Sequence, residues 1–171
     1  MNAISARALN PVEWQRLRDL RLQALQSAPG VYALSYEECA SWTDARWQSG
    51  ISGAGHQIFG LFDGERLIGI TGVFTWDGDP SGQTALLVMS YIEPEYRGRG
   101  LSRQLYEVRL HWIRQSGRFQ TVHVSHRASN EASRRANQHH GFVKTGAEPF
   151  EWPDGAIEDE IHYELKLRKH S

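Results

Sequence analysis

The chain has 171 residues, of which 40% are apolar and 23% charged, a composition typical of one globular domain. The net charge is −1, so the chain does not have the excess of basic residues that is typical of a nucleic-acid-binding protein. No apolar run is long enough for a membrane span. We therefore expect neither a nucleic acid nor a membrane as a partner. The N-terminal residues show no signal-peptide pattern and Cys39 is the single cysteine, which predicts a cytoplasmic protein without an internal disulfide.

The first half of the chain predicts helices followed by a β-hairpin. A short strand over 4–8 precedes a helix over 11–28, where apolar residues recur at helical spacing and Pro11 follows the potential cap Asn10. A second helix is predicted from about Ser35 to Ser49. Two apolar strands, 57–62 and 67–76, flank Asp63-Gly64, which is typical of a tight hairpin turn.

The second half of the chain alternates strands and helices around a glycine-containing loop. Residues 84–92 form a nearly continuous apolar run, which predicts a buried strand, and Leu101, Leu105, Val108 and Trp112 mark one face of a helix over 101–116. The remaining elements are a strand over 121–125, a helix over 130–140, a strand from residue 142 and a strand over 157–167. This order predicts a single α/β domain over 1–171.

The loop over 93–100 carries the strongest chemical signal. Gly98 and Gly100 allow the backbone to approach a ligand closely, and the helix that follows presents unpaired N–H groups and the positive end of its dipole. Arg97, Arg99 and Arg103 add positive charge, so the segment suits a phosphate or pyrophosphate. It is not a P-loop, because the Gly-Lys-Ser/Thr ending is missing, and Arg103 stands where a dinucleotide fingerprint needs its third glycine. The glycine spacing alone fits a plain turn at a helix start equally well.

The segment Ile92–Leu101 resembles the coenzyme A-binding motif of the GNAT family of N-acetyltransferases, Gln/Arg-x-x-Gly-x-Gly/Ala. That pattern falls on Arg97, Gly100 and Ser102. A second block, from Asn130 to Gly141-Phe142, resembles the family's later motif, and the order of elements is similar over nearly the whole chain. The resemblance implies an α/β (α+β) fold with a central mixed, mostly antiparallel sheet. This sheet would splay between its fourth and fifth strands and be flanked by about four helices.

The resemblance also implies a function, direct transfer of an acetyl group from acetyl-CoA to a primary amine. The backbone N–H groups of 98–102 would bind the pyrophosphate, the backbone of Ile92 and Glu93 would pair with the pantetheine arm, and Asn130 would hydrogen-bond that arm from the other side. The residues assigned to the cofactor in this way are Ile92, Glu93, Arg97, Gly98, Arg99, Gly100, Leu101, Ser102, Arg103, Asn130 and Asn137.

The catalytic residues stay open because the chain departs from the family pattern at one position. Family members often have a tyrosine four residues before the Gly-Phe glycine, where it protonates the leaving thiolate, and here that position is Asn137. Glu93, Tyr91 and His123 are the other candidates for an acid or a base. No metal is expected, since the adjacent His139 and His140 point in different directions and no third ligand has suitable spacing.

The acceptor is predicted only as a class, a small amine or an amino-acid-like metabolite. In the GNAT family the acceptor usually enters beside the first two helices, where Tyr32, Tyr36 and Glu37 lie, and acidic residues there would attract a cationic amine. Alternative functions are a protein N-terminal or lysine acetyltransferase, a toxin-like enzyme that acetylates aminoacyl-tRNA, and a catalytically weak acyl-CoA-binding sensor, which Asn137 favours. Exposed edge strands in such a fold favour a homodimer.

Overall fold

One mixed sheet organises the chain, and the structure, a computed structural model, describes residues 3–168. The strands are β1 (Ile4–Ala8), β2 (Ser52–Gly53), β3 (His56–Asp63), β4 (Arg66–Thr75), β5 (Thr84–Ile92), β6 (Thr121–Arg127), β7 (Val143–Glu151) and β8 (Ile157–Lys166). The helices are α1 (Trp14–Ser27), α2 (Tyr36–Ala40), α3 (Asp44–Ser49), α4 (Ser102–Ser116) and α5 (Glu131–His139).

The strand order is β1-β3-β4-β5-β6-β8-β7, with the short β2 paired to β3. Every neighbouring pair is antiparallel except β5 and β6, which run parallel. A parallel pair needs a long crossover connection, and α4 supplies it. The predicted mixed, mostly antiparallel sheet is therefore confirmed.

The sheet splays where β5 and β6 part. The two strands pair only between Thr84–Leu86 and Thr121–His123, although β5 continues to Ile92 and β6 to Arg127. The ladder between β4 and β5 also shifts register beside Met89, whose φ is +49°. Such a bulge bends a strand and increases its twist, so β5 turns away from β6. These are the fourth and fifth strands of the sequence prediction, since the two-residue β2 was not predicted.

Helices cover both faces of the sheet. Apolar residues of α1, with Leu17 and Leu20 buried, pack with Ile58 and Ile70 on one face, beside α2 and α3. On the other face, α4 buries Ile113 against strands β4 and β6. The splay therefore opens between two separate apolar layers, with one cavity possible on each side.

The prediction of one continuous helix from Ser35 to Ser49 is wrong. The segment forms two short helices, because the Thr43 side chain accepts a hydrogen bond from the Arg46 N–H (3.2 Å) and starts α3 anew. Residues 3–168 therefore form five helices, against the expected number of about four. Among the described residues, no helix combines the length and the apolar character needed to cross a membrane.

Candidate active site

The loop between β5 and α4 adopts an anion-binding conformation. Gly98 (φ +77°) and Gly100 (φ +72°) both take left-handed backbone conformations, and a Cβ atom on either would meet nothing within 4 Å. None of the backbone N–H groups from Gly98 to Ser102 donates to an acceptor in the described part of the chain. The α4 helix also starts without a side-chain cap. The loop therefore presents unpaired donors at the positive end of a helix dipole.

Three arginines surround the loop with positive charge. The Arg97 Nε donates to the Ile92 carbonyl oxygen (2.8 Å), and the Arg99 guanidinium donates to the Glu95 carbonyl oxygen (3.2 Å). Arg103 makes an exposed ion pair with Glu107 one helical turn later. These side chains bond to atoms outside 98–102 and leave the backbone N–H groups of that segment open.

A slot of about 270 Å³ follows the splay between β5 and β6. Its strand wall is the bulged segment of β5, where the Thr71 hydroxyl hydrogen-bonds to the Ser90 hydroxyl (2.9 Å) and the Tyr32 hydroxyl donates to the Ser90 carbonyl oxygen (3.0 Å). The helix wall comes from the start of α4 and from α5. The residues that argue for a ligand here are Ser102, Tyr106, Arg109, Asn130, Ser133 and Asn137.

A buried polar cluster forms the floor of this slot. Asn137 is 1% exposed, and its Oδ1 accepts a hydrogen bond from the Tyr106 hydroxyl (2.6 Å), while its Nδ2 has no partner in the described structure. Arg109 is 2% exposed, donates from Nε to the Leu105 carbonyl (3.0 Å), and has its pKa lowered to about 10 by burial. Burial also raises the pKa of Tyr106. Since a buried donor without a partner is costly, Asn137 Nδ2 marks a ligand position.

A second cavity, of about 500 Å³, lies on the α1 side of the splay. It shares Val31, Tyr32, Leu87, Val88, Met89, Ser125 and His126 with the slot, so the two spaces meet where the strands part. Its walls are mostly apolar and aromatic. The wall residues outside the shared set include Leu17, Leu34, Trp42, Trp47, Phe74 and Trp152.

The Arg127 side chain joins two loops whose neighbouring residues Val31 and Trp152 line this second cavity. The Arg127 guanidinium donates to the Gly30 carbonyl oxygen (3.0 Å) and pairs with Asp154 (2.7 Å) and Glu158 (3.0 Å). These bonds tie the loop after α1 to the loop between β7 and β8.

A chain of titratable groups runs from the second cavity to the surface. Glu160 lines the cavity and accepts a hydrogen bond from the Ser125 hydroxyl (2.7 Å). Its other oxygen is 3.5 Å from His162 Nε2, which is also 3.0 Å from the exposed Glu148. Ligand atoms of Glu148, Glu160 and His162 lie within 4.8 Å of one another, so the expectation that no metal binds stays a prediction.

His126 lies at the junction of the two cavities, with both ring nitrogens engaged. Its Nδ1 is 2.7 Å from the Arg127 carbonyl oxygen, and its Nε2 is 3.1 Å from the Tyr163 hydroxyl. A carbonyl accepts only, so Nδ1 carries the proton and Nε2 accepts from Tyr163. The ring is therefore a wall of the junction whose acceptor nitrogen is already used.

The structure brings some of the sequence-predicted residues to the two cavities and places others elsewhere. Tyr32, Ser102, Asn130 and Asn137 line the slot, and Tyr32 lines the second cavity as well. The remaining candidates of the described chain stand outside both lining sets; they are the loop residues Arg97, Gly98, Arg99, Gly100, Leu101 and Arg103 together with Tyr36, Glu37, Tyr91, Ile92, Glu93 and His123.

Three of the candidates outside the cavities have a structural reason for their position. The Glu93 carboxylate pairs with Arg66 (2.6 Å), and burial raises the pKa of Glu93. Tyr91 packs in the core under α1. His123 stacks on Trp76 (ring centroids 3.9 Å apart), and burial, aided by the neighbouring His162, lowers its pKa to about 4.

Sequence reasoning missed three polar residues of the site: Arg21, Tyr106 and Arg109. Two of them could have been found from their positions in the sequence. Arg21 falls in the apolar stripe of α1 and Arg109 in that of α4, each four residues after a buried leucine. An arginine at a core position of an amphipathic helix is unusual, because its charge must be compensated.

Three features define the class of protein: an open sheet that splays where β5 and β6 run parallel, an anion-binding loop beside the opening, and two cavities that meet there. Residues 14–142 match the model of the acetyltransferase (GNAT) family, and the chain belongs to that family. No curated protein sequence matches the chain.

Solved structures of similar proteins confirm the predicted fold. An acetyltransferase of the GNAT family from Streptococcus pneumoniae superimposes with a TM-score of 0.80 at 17% identity, over 96% of this chain and 100% of that one. A Salmonella typhimurium protein described as an acetyltransferase, with its cofactor acetyl-CoA, gives 0.76 at 18% identity over 99% and 96%. The ribosomal-protein-S18-alanine N-acetyltransferase from Escherichia coli gives 0.72 at 19% identity over 99% and 97%.

Proposed function

We propose that this acetyltransferase moves an acetyl group from acetyl-CoA directly to a primary amine of a small molecule. The observation that carries the proposal is the meeting of two cavities at the splay: one starts at Ser102 beside the anion-binding loop, and the other is lined mostly by apolar side chains. An amine in the second cavity and a thioester in the slot would face each other at Ser125 and His126. Holding the two reactants together in this way accounts for much of a transfer enzyme's rate.

The residues of the slot fit coenzyme A. The N–H groups of 98–102 are donors that lack acceptors, and the two left-handed glycines leave open space above them, as a pyrophosphate requires. Asn130 uses Oδ1 to cap α5 (3.1 Å from the Ser133 N–H), which leaves its Nδ2 for an amide oxygen of the pantetheine arm. Acetyl-CoA supplies the activated acetyl group, as its thioester. A contact of Ile92 and Glu93 with that arm stays a prediction.

The size of the second cavity favours a small acceptor over a protein chain. Its volume of about 500 Å³ lies in the range of small-molecule sites. The aromatic walls suit a compact, partly apolar molecule. The Escherichia coli structure is that of an enzyme that acts on a ribosomal protein. The test below must therefore distinguish a protein substrate from a small amine.

Glu160 is the proton acceptor in this proposal. An amine must lose a proton to attack or as it attacks, and the Glu160 carboxylate is the acidic group among the described residues of the second cavity. The proton would then pass from Glu160 to His162 Nε2 and on to Glu148 at the surface, over separations of 3.5 and 3.0 Å. This route leaves Ser125 to hold the carboxylate in place.

Asn137 contributes a hydrogen-bond donor where other family members have a tyrosine. Asparagine cannot give up a proton at neutral pH, but its Nδ2 can stabilise negative charge on an oxygen or sulfur atom in the slot. The Tyr106 hydroxyl holds Oδ1 and so fixes which side of the amide faces the ligand. With this donor present, the substitution does not by itself favour a catalytically weak sensor.

The proposal also includes a cellular location and an oligomeric state. Cys39 is buried, so a reducing cytoplasm suits the protein. A homodimer could form by pairing of the edge strands β1 or β7.

The experiment that tests the function is an acetylation assay on a mixed panel. The protein is incubated with acetyl-CoA and small primary amines, amino acids or N-terminal peptides, and release of the coenzyme A thiol and product mass are measured. Acetylated small amines support the proposal. Acetylation of peptides alone would replace it with a protein acetyltransferase, and melting-temperature shifts with coenzyme A but without turnover would replace it with a sensor.

A further inference from the structure

Arg21 is a buried cation without a compensating charge on the wall of the second cavity. It is 6% exposed and lines the cavity, and its Nη1 has no hydrogen-bond partner in the described structure. Its guanidinium lies over the Tyr32 ring, 4.6 Å from the centroid. The titratable groups around it are Tyr32 and Cys39, and neither is a carboxylate; burial accordingly lowers the pKa of Arg21.

A cation in this position is costly to the folded protein unless something pairs with it. Burying an ionised group is tolerated when it is paired and hydrogen-bonded, and an uncompensated one strongly destabilises the folded state. Arg127, at the end of β6, shows the usual arrangement, with two carboxylates on one guanidinium. A ligand carboxylate is the group that would do the same for Arg21, since it accepts parallel hydrogen bonds from a guanidinium.

The other residues of the cavity indicate which further groups the ligand has. Glu160 brings a carboxylate that suits an ammonium or amine, and Ser125 beside it lies at the junction with the slot. The remaining walls are aromatic and aliphatic, with Trp42, Trp47 and Phe74 among them. An acceptor that satisfies all three features has an amine, a carboxylate and an apolar side chain.

We propose that the acceptor is a free α-amino acid with an apolar side chain, whose carboxylate binds Arg21 while its amino group lies toward Glu160 at the splay. This inference rests on the proposed acetyl transfer and adds the substrate class and the residue that selects it. A peptide N-terminus has an amide where a free amino acid has its carboxylate, so it would leave Arg21 unpaired.

The test compares acceptors that differ only in the carboxylate. Phenylalanine is compared with phenylalaninamide, phenethylamine and a peptide amide that begins with phenylalanine, all with acetyl-CoA and the full chain. Loss of one partner of a buried ion pair predicts that kcat/KM falls about 10²–10³-fold from the acid to the amine and the amide. Equal rates on phenylalanine and phenethylamine, or a peptide amide as the best acceptor, would overturn the inference and leave amine acetylation intact.

Two variants on α1 separate recognition from folding. Arg21→Met should bring the preference for the acid to within about tenfold, and its melting temperature should be no lower than that of the wild type, because an unpaired buried charge is removed. Arg18→Met, which removes a cation of the same helix that pairs with Asp19 outside both cavities, should keep the full preference. A preference that survives Arg21→Met would refute the role of Arg21.

A binding measurement tests whether Arg21 binds a carboxylate even if no acceptor is acetylated. N-acetylphenylalanine and N-phenethylacetamide are titrated calorimetrically into the protein in the presence of coenzyme A. We expect the acid to bind about 10²-fold tighter to the wild type and equally to Arg21→Met. If no amine is acetylated although coenzyme A binds, the proposed function fails, and this titration alone then supports or overturns the carboxylate site.

Discussion

Replacing Gly100 by alanine should weaken coenzyme A binding without any steric clash. A Cβ atom there would meet nothing within 4 Å, so the whole cost arises from the backbone, whose φ is +72°. Holding an L-residue in that left-handed region costs about 1–2 kcal/mol. In the free protein the loop can relax, because the N–H groups of 98–102 have no acceptors in the described structure. The cost then appears on binding, as a dissociation constant about 5–30-fold higher.

Gly82 provides a matched control for this experiment. It has the same φ of +72° and the same open space, and it lies before β5, at the opposite end of that strand from the coenzyme A loop. Its N–H donates to the Asp79 carbonyl oxygen (3.1 Å), so its turn is held in the free protein. Gly82→Ala should therefore lower the melting temperature by about 2–8 °C and leave coenzyme A affinity unchanged.

The assay is calorimetric titration of coenzyme A into each variant, together with thermal unfolding of the free proteins. Gly98→Ala, at φ +77°, should behave like Gly100→Ala. The reasoning is refuted if both loop variants bind coenzyme A like the wild type, or if Gly82→Ala weakens binding as much as they do. In the first case the loop would be only a turn at a helix start.

Three further predictions follow from the same contacts. Glu160→Gln should lower kcat about 10²-fold with coenzyme A affinity unchanged, and an unaltered kcat would rule out Glu160 as the base. Tyr106→Phe alone should destabilise the fold by about 1–3 kcal/mol, because it leaves the Asn137 Oδ1 unpaired. The double variant Tyr106→Phe/Asn137→Leu should regain melting temperature but lose about 10²-fold or more in kcat. Retained activity in the double variant would refute the role of Asn137 Nδ2 as a donor. Hydrogen bonds from Arg7 lower the pKa of Glu13 to about 2, so their stabilisation is present above about pH 4.5 and is lost as the pH falls through 2; Glu13→Gln should cost about 1 kcal/mol by thermal unfolding at pH 7 and progressively less as the pH falls to 2 and below, and a difference that does not shrink in acid would contradict this assignment.

The sequence by itself determined the elements whose signals are local. The strand over 84–92 and the helix over 101–116 follow from hydrophobic periodicity, and they were predicted within one residue of β5 and α4. Gly98 and Gly100 could be singled out because a left-handed backbone restricts the residue type at that position itself. The break between α2 and α3 was missed because the Thr43 cap competes with an otherwise acceptable helix.

The tertiary structure alone decided which side chains share a cavity. Glu160 was one of several acidic residues near the chain's end, and only the pairing of β8 with β6 brings it beside Ser125. Tyr106 and Asn137 are far apart in sequence, yet packing of α4 and α5 brings them within 2.6 Å. Sequence patterns report local backbone preference and burial, whereas a site depends on the register and crossing of distant elements. Core packing fixes those relations only once the whole chain has folded.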